Sequence, residues 1–241
     1  MKPRTESRIA VIVFALLLLA AVPVHSQEFG GGVSVFIPES LYEFGDGSVS
    51  IETSFETSLS VSDNLTMPLG FAYNQIYGLV ARDGGGADYV VSSPWFYADS
   101  FAPYLNVKAR LPFGDLYFDL FGGVLGNWNI TMRPLTANIE RDISAADEDD
   151  RRLVFDRDPA VSTGFGIGYN AGIGIGLRTG FGAVEISGTF RNASAGADIS
   201  GDARWVAADG SSVEAVENYE VENVRVRLRG ISLGASARFR M

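Results

Sequence analysis

The sequence predicts an all-β fold: one eight-stranded antiparallel up-and-down transmembrane β-barrel with four long loops at one end and three short turns at the other. Three observations carry this. Apolar residues alternate with small or polar ones at a period of two, most clearly from Phe165 to Leu177. The connections between the alternating stretches run long, short, long, short to the end of the chain. Beyond the N-terminal segment, no apolar run reaches the roughly 18 residues that a spanning helix needs.

That N-terminal segment is set apart first. Lys2, Arg4 and Arg8 precede an apolar run, Ile9–Val22, too short for a comfortable span. Val24-His25-Ser26 then puts small residues at −3 and −1 before Gln27. Residues 1–26 read as a cleavable secretory signal peptide, with a membrane anchor as the alternative, and 27–241 as a single barrel domain.

The first strand is expected at Glu28–Ile37, with Phe29, Val33, Val35 and Ile37 in phase. The second, Ser48–Val61, sets Val49, Ile51, Phe55, Leu59 and Val61 against Ser50, Glu52, Ser54, Glu56, Ser58 and Ser60. The third, Leu65–Val80, starts in phase through Tyr73 and then loses the pattern. The fourth, Trp95–Leu111, ends with Leu105, Val107, Ala109 and Leu111 against Asn106, Lys108 and Arg110. The fifth, Asp115–Met132, carries Leu116, Phe118, Leu120, Val124, Trp128 and Ile130. The sixth, Ala160–Arg178, contains the glycine-spaced run, and the seventh is Ala183–Ser194. The eighth, Asn223–Met241, has Val224, Val226 and Leu228 in even phase, then Ile231, Leu233, Ala235, Ala237 and Phe239 in odd phase. A β-bulge near Arg229-Gly230 would produce such a switch. The long loops are then Pro38–Gly47, Ala81–Pro94, Arg133–Pro159 and Ala195–Glu222; the short turns are Ser62–Asn64, Pro112–Gly114 and Thr179–Gly182.

Composition excludes several kinds of chemistry. There is no Cys, and the only His is His25 within the leader, so the domain has neither thiol nor imidazole. Ser-His-Asp and Cys-His catalysis and His or Cys metal sites are thereby removed, and no enzyme, cofactor or metal site is expected. Without the leader's three basic residues and one acidic residue, the formal charge moves from −10 to −12, which argues against nucleic acid as a partner.

In a membrane barrel the apolar face meets lipid and the polar face lines the lumen, whereas a soluble sandwich reverses them. Aromatic residues at the strand ends favour lipid. Trp95, Phe96, Tyr97 and Trp128 toward the long loops, and Phe113, Phe181 and Phe239 toward the turns, are expected at the two membrane interfaces. The opposite face assigns Glu52, Glu56, Asp119 and Glu185, with Lys108, Arg110, Arg191, Arg225, Arg227, Arg238 and Arg240, to the lumen. The interior of eight strands is just wide enough for side chains to fill, so these charges form either a closed lattice of ion pairs or the gate of a narrow water path.

Taken together, these features resemble the small outer-membrane barrels of the OmpA transmembrane-domain, OmpX and OmpW-like group. The run Ile231-Ser-Leu-Gly-Ala-Ser-Ala-Arg-Phe-Arg-Met241 looks like the C-terminal signal that such barrels present to their assembly machinery, with Met241 where the usual terminal aromatic would stand. The resemblance implies a diderm bacterial outer membrane as location, with membrane lipid and the assembly machinery as partners.

Other motifs add little. Gly166–Tyr169 and Gly172–Gly176 are explained by alternation rather than by a nucleotide loop. Asp147–Asp150 lacks the spacing of a Ca²⁺ loop and reads as a solvated tip. Long exposed loops on a rigid barrel are where recognition resides, so 133–159 and 195–222 are candidate sites for an extracellular partner. Trp205 is a contact point or a membrane-surface anchor. The functional expectation is a structural or surface-interaction protein with a largely filled lumen; the alternative is a narrow porin or an OmpW-like port for small hydrophobic solutes.

Overall fold

The computed structural model describes residues 27–43, 49–82, 91–147, 149–207 and 210–240. The expected signal peptide, 1–26, lies outside them. In chain order the elements are β1 (Gln27–Pro38), α1 (Glu39–Glu43), β2 (Ser50–Ser62), β3 (Leu65–Arg82), β4 (Phe96–Phe113), β5 (Leu116–Pro134), α2 (Thr136–Ser144), β6 (Arg152–Phe155), β7 (Ala160–Val161), β8 (Phe165–Thr179), β9 (Gly182–Val206) and β10 (Ser212–Arg240). Eight of the strands form a closed antiparallel ring in the order β10-β1-β2-β3-β4-β5-β8-β9, shut by β9 on β10. The short strands β6 and β7 lie on β9 at the loop end.

One walk round the hydrogen-bond ladder gives the stagger. Gly230 pairs Arg191, which pairs Asn170, then Gly123, then Asn106. The register between Thr66↔Lys108 and Leu69↔Leu105 carries Asn106 to Pro68, which pairs Ser58, then Glu28, then Arg240. The walk returns to β10 ten residues from its start, at Arg240 rather than Gly230. Over eight strands that stagger corresponds to a tilt of roughly 40°.

Each strand presents two faces, but the apolar face does not stay on one side. Toward the turn end the exterior is apolar: Leu111 is 62 % exposed, Leu120 65 %, Ile173 66 % and Ile186 69 %. Toward the loop end the apolar side chains point inward instead. Phe36, Ile76, Phe96, Val224, Val226 and Leu228 are fully buried there. The lower part is arranged for a hydrocarbon solvent and the upper part for water.

This inversion overturns the expected bulge at Arg229-Gly230. Pairing with β9 is unbroken from Val224↔Ala197 to Phe239↔Gly182, and the register shifts lie further out, between Ser212/Glu214, Val216/Tyr219 and Val221/Val224. The apolar phase of β10 changes because the solvent outside the wall changes, not because the strand gains a residue.

The long loops also differ from expectation. Most of Ala195–Glu222 is strand: β9 and β10 continue as one hairpin, paired out to Ser212↔Val206. The 25 residues of β9 far exceed the roughly 9–11 that cross a bilayer. Within Arg133–Pro159, α2 buries Ile139 and Ile143 while β6 pairs with β9 through Arg152↔Val206 to Phe155↔Ala203. Beyond the ends of β1 and β2, β10 pairs directly with β3 through Arg225↔Arg82 to Arg227↔Val80. The ring loses two strands there and narrows.

Candidate functional site

The inward phase of the ring brings eight charged side chains together. Arg110 donates from Nε and Nη2 to the two carboxylate oxygens of Asp119, both at 2.9 Å, and its guanidinium lies 3.8 Å from the Tyr117 ring centroid. Glu185 accepts from Lys108 Nζ at 3.2 Å, Arg238 Nη2 at 2.9 Å and Tyr117 Oη at 3.5 Å. Arg238 Nε donates to Glu56 at 2.6 Å, and Glu56 also accepts from Tyr104 Oη at 3.2 Å. Glu52 is held by Arg191 on two nitrogens, by Ser34 Oγ at 2.7 Å and by Asn74 Nδ2 at 3.3 Å. Four carboxylates thus face four cations, and the lattice is formally neutral. The pairs are desolvated, so their geometry and added hydrogen bonds must offset a penalty of several kcal/mol per ion.

The glycines of β8 make room for this lattice. A Cβ on Gly176 would stand 2.1 Å from Tyr117 Cζ, and one on Gly174 would stand 2.7 Å from Glu185 Oε1. The thin wall of β8 therefore adds no free lumen; Tyr117 and Glu185 lie against it.

One void lies below the packed region and a smaller one within it. At the turn end a vestibule of ≈ 1000 Å³ opens between Ser60–Asn64 and Arg178–Ala183, with Arg110 at its inner end. Within the lattice, between the Glu52–Arg191 pair and the group of Glu56, Lys108, Glu185 and Arg238, lies a chamber of ≈ 80 Å³. That is room for a few water molecules.

The loop end is closed by an apolar cap. Trp95, Phe96, Ile139, Leu153, Phe155, Ile199 and Val224 belong to one buried cluster. Asp142, buried on α2, accepts from Ser92 N at 3.0 Å, Ser93 Oγ at 3.3 Å and Trp95 Nε1 at 2.8 Å, tying segment 91–95 to the helix. Trp205, half-buried, lies under the Arg151 guanidinium at 5.2 Å. Arg151 also pairs with Asp147 and Asp149, so carboxylates of the acidic tip are spent on an arginine; Glu148 lies outside the described residues. Arg151 holds the Asp147 carboxyl below the usual aspartate range. Burial raises the Tyr219 phenol, whose ring packs 6.0 Å from Phe155.

Of the residues assigned to the lumen, Glu52, Glu56, Lys108, Arg110, Asp119, Glu185, Arg191 and Arg238 are in it. Arg225 and Arg227 are not. With the ladder unbroken, they share the exterior face with Arg229 while Val224, Val226 and Leu228 take the interior. The Arg240 side chain lies outside the described residues. Among the interface aromatics, Trp95 and Phe96 are fully buried in the cap, which corrects their placement. A water-exposed upper wall needs a core behind it, and these rings supply it. Tyr97 faces outward beneath Arg133, at 5.8 Å. Trp128 ends a chain of exterior rings, Phe55–Phe71–Phe101–Trp128, with centroids 5.6, 5.1 and 6.5 Å apart. At the turn end Phe113 meets Phe118 edge to face, and Phe181 stacks on Phe239. From Phe118 to Trp128 on β5 is ten residues, about 25 Å along the axis at this tilt, the height of an outer-membrane apolar band.

Sequence reasoning missed Tyr104, Tyr117, Asn74 and Ser34 as partners of the lattice, although each shares the inward phase of its strand. It also missed Asp142, for which no local pattern exists.

No family model matches the chain, and no curated protein matches it. Solved structures do. OprG from Pseudomonas aeruginosa superposes with a TM-score of 0.51 at 11 % identity, covering 90 % of this chain and 96 % of that one. The N-terminal β-barrel domain of Pseudomonas aeruginosa OprF gives 0.42 at 9 % identity over 90 % and 98 %. A major outer membrane protein from Thermus thermophilus gives 0.44 at 12 % identity over 89 % and 100 %. At these identities the likeness to OprG concerns the fold, that of a small outer-membrane β-barrel.

Proposed function

We propose that the chain is an integral protein of a bacterial outer membrane, delivered by its signal peptide and inserted through its C-terminal strand. In this reading its lumen is closed and its role is structural and interactive, through the β9–β10 hairpin and the α2–β7 segment that packs beneath it. One observation supports it: among the described residues, a neutral ion lattice crosses the ring and an apolar cluster lies over it at the loop end. A partner would meet the acidic outer face of the hairpin, where Asp198, Asp202, Glu220 and Glu222 are exposed. The test is twofold. The detergent-refolded protein should show heat-modifiable gel migration, and planar bilayers should record no steady current over many insertions. Reproducible unitary currents would sink the closed-lumen reading.

A gated narrow conduit is the second reading. It is favoured by the ≈ 1000 Å³ vestibule at the turn end and the ≈ 80 Å³ chamber within the lattice. Opening would require Arg238 and Lys108 to release Glu185, so currents in that case would appear or grow in Glu185→Gln.

A further inference from the structure

Arg225, Arg227 and Arg229 stand at alternate positions on the exterior of β10, in a stretch whose ladder to β9 is regular. Their partners on β9 are Gly196, Ser194 and Asn192, all small or polar; Arg225 is exposed, and Arg227 and Arg229 are half-buried. One outward-facing position toward the turn end is Ile231, paired with Phe190, and below it Leu233; both β10 residues are exposed and begin the apolar band. The Arg229 guanidinium lies 5.9 Å from the Phe190 ring centroid, so the arginine row starts where the aromatic rim of that band ends. Among the described residues, acids adjoin the row. Glu39 on α1 pairs with Arg229 at 2.9 Å, and Asp198 stands further out on β9, engaged by Ser162.

We propose that this row is a docking site for the phosphate groups of lipids in the leaflet on the loop side. It rests on the reading of the chain as a membrane barrel. The match is chemical and positional. A guanidinium offers two parallel donors to a phosphate, and three of them spaced along a strand can engage one or two such groups. A free anion would gain nothing from the apolar surface beneath. An amphiphile satisfies both, its phosphate at the arginines and its acyl chains on Ile231, Leu233 and Ile186.

The test uses the full barrel in phosphatidylcholine bilayers carrying either spin-labelled phosphatidic acid or spin-labelled phosphatidylcholine. Electron paramagnetic resonance then reads the motionally restricted fraction of each lipid. Phosphatidic acid should be favoured by about five-fold or more, as expected for basic side chains at a membrane surface, and the preference should shrink at high salt. Replacing Arg225, Arg227 and Arg229 together by Gln should bring the two lipids to parity. Arg204→Gln, high on the hairpin, should leave the preference intact. If the triple variant does not fold, Arg227→Gln alone should lower the preference. Equal association of both lipids with the unaltered protein, or a preference that survives the triple change, overturns the proposal. Heat-modifiable migration measured on the same samples keeps the two questions apart: a shift with no lipid preference removes the docking site and leaves the barrel.

Discussion

Glu185 reaches three donors from three other strands: Lys108 on β4, Tyr117 on β5 and Arg238 on β10. Arg191 and Glu52, 139 residues apart in sequence, form a pair that is 7 % and 2 % exposed at the side chain. Removing one member of such a pair strands the other as a buried charge. Arg191→Met should therefore lower stability by about 3–5 kcal/mol, read as the urea midpoint of the refolded protein in detergent. Pairing it with Glu52→Gln should recover much of the loss, and a cost near zero for the single change would mean that the lattice is well hydrated. Gly176→Ala should cost about 1–3 kcal/mol because its methyl would meet the Tyr117 ring, and Tyr117→Leu in the same chain should relieve it. At the loop tip, Arg151 lowers the Asp147 value in the folded state. Whatever this contact adds is present at neutral pH and is lost as pH falls through that lowered value. Carboxyl resonances should show Asp147 titrating below the usual aspartate range, and Arg151→Gln should return it there.

Among the elements, β10 decides most. Its lower half puts Ile231, Leu233 and Phe239 outside and Ser232 and Arg238 inside; its upper half puts Arg225 and Arg227 outside and Val224 and Leu228 inside. Arg227→Glu should consequently leave any lumen property unchanged, because the side chain never enters the lumen. A conductance or gating effect of that substitution would place it inside after all. The cap hangs on α2. Asp142→Ala would leave Trp95 Nε1 and the Ser93 hydroxyl without their acceptor, at about 1–3 kcal/mol for each unpaired buried group. Limited proteolysis should then cut near segment 91–95 while heat-modifiable migration of the barrel persists. Exchanging residues 207–211 for two glycines should leave folding intact. Deleting 136–155 should not, since it bares Ile199 and Ala203.

Across the molecule as a whole, two solvents shape one wall. The strand count, the three turns and the eight lumen charges that do meet were legible in the sequence, because a period of two survives any environment and turn residues are local. Glu52, Lys108 and Asp119 could be assigned to one face by parity alone. The contacts among them could not, because Glu52 meets Arg191 only after the ring closes with its ten-residue stagger. Nor could parity say which face looks outward. It records that neighbours differ, and both hydrocarbon outside with charge inside and water outside with a core inside obey it. Trp95 and Phe96 were legible as aromatics near a strand end, yet only the folded cap, with α2 and the β9–β10 hairpin above the membrane, turned them inward. Alternation and tight turns act within a few residues, so local pattern was enough to specify a closed ring of long alternating strands. Where along each strand the apolar face changes sides came from the folded assembly instead. That point depends on which solvent touches the wall at each height, and it moved Arg225 and Arg227 from the lumen to the outer rim.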